Sequence, residues 1–417
     1  MPSKPLLTDD ASPHAWARLA VSLTLMTISG CSMYAVVVVL PAVQAEFGVA
    51  RADASLPYSL TMIGFGVGGL FMGRLADRFG VMVPLLIGAL SIGLGFAAAG
   101  MAGNIWTFSL AHGVLIGVFG SSAMFAPLIA DTSLWFTRRR GIAVAICASG
   151  NYLAGAVWPP VVHHFVAIYG WRSTYEGIGL FCVVTLSFLA LFLRRRPPVV
   201  ATDAALSAAA ASPRPFGLPP AVAQSLLCVA GLACCVAMSM PQVHIVAYCG
   251  DLGYGVARGA EMLSVMLGFG IVSRLLSGVI CDRIGGLRTL LLGSALQGVA
   301  LLLFLPFDGL ASLFVISALF GLFQGGIVPS YAIIVREYFP PREAGARVGT
   351  VLMFTLLGMA LGGWMSGKIF DITGSYHVAF INGLAWNLLN ITVAVTLLRR
   401  AGKRRAGAKG ALAGVAW

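Results

Sequence analysis

Charge is what this sequence has least of. Of its 417 residues only 10% are Asp, Glu, Lys or Arg, and the acids number just 15, whereas a soluble globular chain carries roughly 25% charged residues. So few charges cannot clothe an ordinary water-facing surface, which excludes a cytosolic enzyme. The 27 Lys and Arg leave a net charge of +12, but nucleic-acid binding would need them gathered on one soluble face, and they are spread along the chain instead. A zinc-type ligand spacing, a nucleotide fingerprint and a nucleophile elbow are also missing. No metal, cofactor, nucleic-acid partner or enzymatic activity is therefore expected. The eight cysteines (31, 147, 182, 228, 234, 235, 249 and 281) lie in or beside apolar stretches and read as small packing residues.

Apolar residues are abundant, at 59%, and they come in runs of about 20, the length a helix needs to cross a bilayer. Twelve such runs fall near 17–40, 54–72, 83–101, 105–134, 141–165, 174–193, 220–249, 259–280, 289–306, 311–335, 346–369 and 377–398. The first is too long for a signal peptide and follows Asp9 and Asp10 rather than a basic segment, so it is expected to stay in the mature chain. The fold class expected is an all-α membrane protein with twelve transmembrane helices.

The connectors alternate in charge. One set holds Arg74 and Arg78, Arg138 to Arg140, Arg194 to Arg196 with Arg214, Arg283 and Arg288, then Arg336, Arg342 and Arg347. The other holds Arg51, Arg172, Arg258 and Lys368, one apiece, with none near Gly103 or Asp308. By the positive-inside rule the rich set is cytoplasmic, and so are both termini, with Lys4 and Arg18 at one end and Arg399 to Lys409 at the other. A bacterial-type inner-membrane protein is expected, monomeric in the bilayer, with a basic tail that touches anionic lipid.

The stretch 194–219 replaces large apolar residues with Pro, Ala and Ser, as a flexible linker does. It divides the chain into a six-helix half, 1–193, and a second, 220–398, followed by the tail 399–417. The halves echo each other. Gly73-Arg74-Leu75-Ala76-Asp77-Arg78-Phe79-Gly80 after span 2 matches Gly278-Val279-Ile280-Cys281-Asp282-Arg283-Ile284-Gly285 after span 8, and Trp135-Phe136 with Gly141 pairs with Tyr338-Phe339 and Gly345. Two parallel six-helix repeats are the plan of a secondary transporter with a site at mid-membrane between the halves.

GRLADRFG resembles the cytoplasmic signature of the major facilitator superfamily, strong in the first half and degenerate in the second. The signature is expected to act as a conformational latch through Gly73, Asp77, Arg78 and Gly80, and through Asp282 and Arg283 in the second copy. Its glycines would let helix ends approach closely, and Asp77 would accept from Arg78 or sit at a helix N-terminus. Further glycine pairs, Gly64 with Gly68, Gly69 with Gly73 and Gly358 with Gly362, have the spacing that brings two helix backbones together.

With loop and tail cations set aside, Arg274 in span 8 is the chain's one deeply placed base, where insertion costs roughly 2.5 kcal/mol or more. Positions three and four residues away hold Gly270, Ile271, Ser277 and Gly278, so its own helix supplies no acid there. A guanidinium stays charged at any accessible pH and presents a planar fork that matches a carboxylate. A small organic anion is therefore the expected substrate. His244, after Pro241 in span 7, is the first candidate for a substrate or proton role, and His112 in span 4 the second. Tyr34, Asn151, Tyr152, Gln324, Tyr331, Asn382 and Asn387 are candidates to complete the pocket, or else ordinary interhelical hydrogen-bonding residues.

A narrower resemblance rests on Trp135 to Pro160, WFTRRRGIAVAICASGNYLAGAVWPP, with Tyr169-Gly170-Trp171-Arg172. This region is similar to the fifth span of monocarboxylate transporters, and Arg274 falls where that family places its carboxylate-binding arginine. The resemblance implies transport of a monocarboxylate by alternating access, with a proton as the possible co-substrate. Animal members add a lysine in span 1 and an aspartate one turn before the arginine; here span 1 has no base and Gly270 takes the aspartate's place. Oxalate and formate exchangers are similar too, with a second deep base in span 11, where this chain has Leu356, Leu357 and Gly358. The alternatives are an exchanger or exporter of another organic anion, a dicarboxylate or aromatic acid, and a ligand sensor that does not transport.

Overall fold

The computed structural model describes residues 13–136, 140–195 and 215–413. Lys4, Asp9, Asp10, Arg138 and Arg139 lie outside the described residues, as do the final four residues of the tail and the stretch 196–214, which holds Arg196, Arg214 and most of the expected linker. Every regular element among the described residues is helical. The chain begins with α1 (Pro13–Ser29), α2 (Cys31–Phe47), α3 (Arg51–Phe79), α4 (Met82–Gly100), α5 (Ile105–Leu110), a π-helix (Ala111–Ser121), α6 (Ser122–Trp135) and α7 (Arg140–Leu191). It continues with α8 (Pro220–Asp251), α9 (Val256–Ile284), α10 (Gly286–Leu303), α11 (Leu310–Gln324), α12 (Ile327–Tyr338), α13 (Pro341–Thr373) and α14 (Tyr376–Ala413).

Among the described residues eleven segments are long and apolar enough to cross a membrane. One of them, Ile142–Leu191, has 50 residues, about 75 Å of helix against a hydrocarbon core of about 30 Å. Gly170, with φ 77° and ψ 163°, breaks it into two crossings, as the gap between runs 141–165 and 174–193 anticipates. The fold is thus an all-α membrane protein of twelve transmembrane helices.

By contact the chain divides into two compact units. One comprises Met1–Ala201 and Val243–Gly268, the other Thr202–Gln242 and Phe269–Trp417. Val243–Gly268 lies beyond the linker in sequence yet packs with the first unit. Arg51 reaches Asp251 at 3.1 Å, the Ser264 hydroxyl donates to the Ala156 carbonyl, and Gly259 lies flat against the Val246 backbone, where a Cβ would come within 2.5 Å.

Glycine decides where helices touch, though not at every pair the spacing suggests. A Cβ on Gly64 or Gly68 would run into the π-helix backbone at Gly113 and Val118, and one on Gly358 or Gly362 into α8 at Leu232 and Val236. Those pairs are close-approach sites. Gly69 and Gly73 are not: no described atom lies within 4 Å of a Cβ built on either. The pattern of four-residue spacing marks a helix face without saying which face meets a neighbour at close range.

The echo between the halves is conformational as well as chemical. Gly80 and Gly285, which close the two signature copies, have φ 88° and ψ 163°, and φ 84° and ψ 161°. Each N–H returns to the carbonyl four residues back, Gly80 to Ala76 and Gly285 to Cys281, both at 2.8 Å. A side chain at either position would be strained, so the same residue ends the same turn twice.

Candidate functional site

Arg274 sits in the middle stretch of the 29-residue α9 and is half-buried. Residues 270, 273, 274 and 277 follow the i, i+3, i+4, i+7 rule and share one helix face. That face meets the break between α11 and α12 in the same unit. A Cβ on Gly325 would lie 2.8 Å from Ser273 Cβ and would overlap the Gly270 carbonyl, and one on Gly326 would overlap Ser277. Two consecutive glycines, both with right-handed helical angles, let span 10 dock directly on the arginine's face, an approach no other residue type permits.

Gln324 is the last residue before that break and is fully buried. Its side-chain oxygen accepts from Gln242 Nε2 at 3.1 Å, while its own Nε2 has no hydrogen-bond partner. Gln242 follows Pro241 in α8. The sequence alone offers Gln324 as a candidate but misses Gln242, which only the fold brings to it. Elsewhere in this unit, candidate polar groups are engaged with each other. Tyr331 donates to Asn390 Oδ1 at 3.0 Å, Asn390 Nδ2 donates to Ser294 Oγ at 2.7 Å, and Asn387 Nδ2 donates to the Ser294 carbonyl at 2.9 Å. These bonds tie α10, α12 and α14 together. Asn382 is half-buried, and its Nδ2 has no partner.

The first unit contains a different kind of site. A small cleft is walled by Met26, Met33, Met124, Phe65 and Phe125, with Asn151 and small hydroxyl residues supplying its polar atoms. Among the latter, Ser32 and Ser121 share a hydrogen bond of 2.8 Å. Tyr34 and Tyr152 are buried, and the Tyr34 ring packs over Gly155. His244 is fully buried in α8. His112 opens the π-helix, fully buried among Phe96, Phe108 and Tyr175, and neither ring nitrogen has a hydrogen-bond partner. π-Helical stretches are rare and often mark functional positions.

The expected latch residues Asp77 and Arg78 are exposed, as are Asp282 and Arg283. The buried ion pair of the first unit lies nearby and was not anticipated. Arg18 Nη2 contacts Asp131 Oδ2 at 2.8 Å with both side chains almost wholly buried, its guanidinium lies 4.5 Å from the Trp135 ring centre, and Nη1 donates to the Arg195 carbonyl at 3.1 Å. Asp131 also lines a small cavity with Gly80, Val81 and Arg194. Another cluster secures the break at Gly170: Arg172 binds Glu46 at 2.7 Å and the Gly100 carbonyl at 2.6 Å, while Trp171 Nε1 donates to Glu46. Among the described residues no group of three or more His, Cys, Asp or Glu is placed to hold a metal ion.

Comparison with known proteins gives a consistent picture. The family model described as Major Facilitator Superfamily matches residues 23–311 and 262–415. Monocarboxylate transporter 13 of Rattus norvegicus is 28% identical over 354 residues, 82% of this chain and 78% of that protein. The MFS-type transporter YcxA of Bacillus subtilis is 27% identical over 346 residues, 79% of this chain and 82% of that one. Among solved structures, the nucleoside transporter NupG superposes with a TM-score of 0.72 over 93% of this chain and 99% of its own, at 14% identity, a likeness of fold alone.

Proposed function

Because the chain belongs to the major facilitator superfamily, we propose that it is a secondary transporter of a small organic anion, foremost a monocarboxylate, with Arg274 as the anchor of the carboxylate. The observation that carries this reading is the placement of Arg274 on the α9 face that meets the glycine break of span 10. A cation at that depth costs several kcal/mol to insert, a cost that a bound carboxylate would offset. The similarity to a rat monocarboxylate transporter supports the same substrate class.

Transport requires more than affinity. A ligand shifts the balance between two access states only through its differential binding to them, so closure around the anion must improve its contacts with Arg274. The two covalent halves, 1–193 and 220–398, are the elements that alternate, and the basic ends face the cytoplasm. A co-transported proton would make the step electroneutral; the first candidate to carry it is His244, the second His112, and the alternative is the substrate's own carboxyl group.

The test is uptake of labelled lactate, pyruvate, formate and oxalate by liposomes carrying the purified protein, with and without a pH gradient. Arg274→Ala is expected to lower uptake by about a hundredfold, the scale of losing a charge-assisted carboxylate contact. Uptake unchanged by the substitution overturns the role of Arg274, and uptake indifferent to the gradient overturns the proton.

A further inference from the structure

Two consecutive helices of the second covalent half divide part-way along their length. The boundary between the compact units cuts α8 after Gln242 and α9 after Gly268, and the hairpin between the cuts, Val243–Gly268, packs with the first half. Both cuts fall where the helices are weak. Pro241 has no N–H to give to the preceding turn, so α8 bends there at little cost. Gly268 and Gly270 flank Phe269 in α9, and glycine lowers a helix's resistance to bending. Three contacts hold the hairpin to the first half. Arg51, almost buried at the start of α3, pairs with Asp251 at 3.1 Å across 200 residues of sequence. The Ser264 hydroxyl donates to the Ala156 carbonyl, and Leu267 fills the space that a side chain on Gly155 would need. Since α3 leads away from Arg51 to the first signature turn, the ion pair lies at the opposite end of that helix.

We propose that Val243–Gly268 is a gate in its own right, which swings on Pro241 and Gly268 and is locked shut by the Arg51–Asp251 pair. The inference rests on the reading of the chain as an alternating-access transporter, in which a passage at this end opens and closes in every cycle. It assigns that movement to one hairpin rather than to the whole of a half. The pair is suited to a reversible lock. Asp251 is exposed although Arg51 is not, so water reaches the separated charges readily and parting them costs little. The wholly buried pair of Arg18 with Asp131 has no such relief and resists separation.

The experiment reads the gate without any substrate. Leu267 is only 1% exposed, and lifting the hairpin uncovers it. Purified Leu267→Cys protein in liposomes is treated with a maleimide, and the modified peptides are quantified by mass spectrometry. Ala156→Cys, across the same contact, serves if Leu267→Cys does not fold. Native Cys182, fully buried in α7, reports general loosening in the same sample. Modification at position 267 is expected to accelerate about threefold or more when Arg51→Gln or Asp251→Asn is added, with Cys182 unchanged. Exchanging the charges, Arg51→Asp with Asp251→Arg, is expected to restore the slow rate, and Pro241→Ala, which returns the missing helix bond, to slow the neutralised variants. A rate at 267 that ignores both neutralisations overturns the lock, and one that ignores Pro241→Ala overturns the hinge. A rise matched at Cys182 overturns the gate, because the protein has then loosened throughout. Parallel uptake assays keep the readings apart: unaltered rates with intact uptake overturn the gate alone, and rates that follow the charges without uptake of any of the four acids overturn the substrate class alone.

Discussion

Spans 4 and 10 are the same part of the repeat built with different chemistry. Both end on matching aromatic pairs, Trp135-Phe136 and Tyr338-Phe339, and fourteen residues before each pair stand Ser121 and Gln324. Ser121 shares its hydroxyl with Ser32 at 2.8 Å, so span 4 is satisfied at this height and borders an apolar cavity. Gln324 leaves a donor open beside the Gly325–Gly326 junction of span 10. The closing turns differ as well. Asp131 in span 4 is buried against Arg18; the matching position in span 10 is Ile334, fully buried, and the acid has moved to Glu337, which accepts from the Gly286 N–H at 3.1 Å and caps α10. Duplication preserves where helices bend and end. Which copy handles charge is free to diverge.

The largest effect that breaks this comparison comes from span 4. Asp131→Ala leaves the Arg18 guanidinium buried without its counter-charge, which costs about 3–5 kcal/mol. Thermal unfolding of the purified protein is expected to show a large drop, partly restored in the Arg18→Ala, Asp131→Ala double variant. Next comes the contact of span 4 with α3. Gly68→Ala pushes a methyl group into the Val118 backbone and is expected to cost about 1–3 kcal/mol. Its neighbour Gly69→Ala, with open space around it, is expected to raise stability by up to about 1 kcal/mol through helix propensity alone. The pair separates a glycine that meets the π-helix from its neighbour that meets no described atom. Smallest is span 10: Glu337→Ala removes an exposed acceptor at a helix N-terminus, for a loss of about 0.5–1 kcal/mol, and hydrogen exchange at the first turn of α10 should rise while the rest of the helix stays protected.

The spans were legible because each is a nearly continuous apolar run, and even the break at Gly170 lies in the gap between two of them. The signature copies were legible because their residues are contiguous. What escaped was pairing across sequence. Arg18 reads as a terminal cation and Asp131 as an acid near a helix end, and nothing within either stretch says that residues 113 apart meet. Gln324 was visible as a polar residue in an apolar run, but Gln242, and with it the direction of the amide, depends on tertiary placement. Gly69 and Gly73 were misread for the same reason: spacing gives a face, and a neighbour must be found for it. The π-helix around His112 has no mark in the sequence, and the close approach of its Gly113 and Gly117 to Leu60 and Thr61 of α3 is likewise a tertiary fact.

The glycine turn at residue 170 has a practical consequence for anyone wishing to tag or split this chain. Helix leads into helix there with a single residue of changed direction, and the next two side chains are already fastened to Glu46. An inserted epitope would have no slack to occupy and would pull that clasp apart. The turn at Gly103, where added bulk meets nothing within 4 Å, is the better place to cut or label.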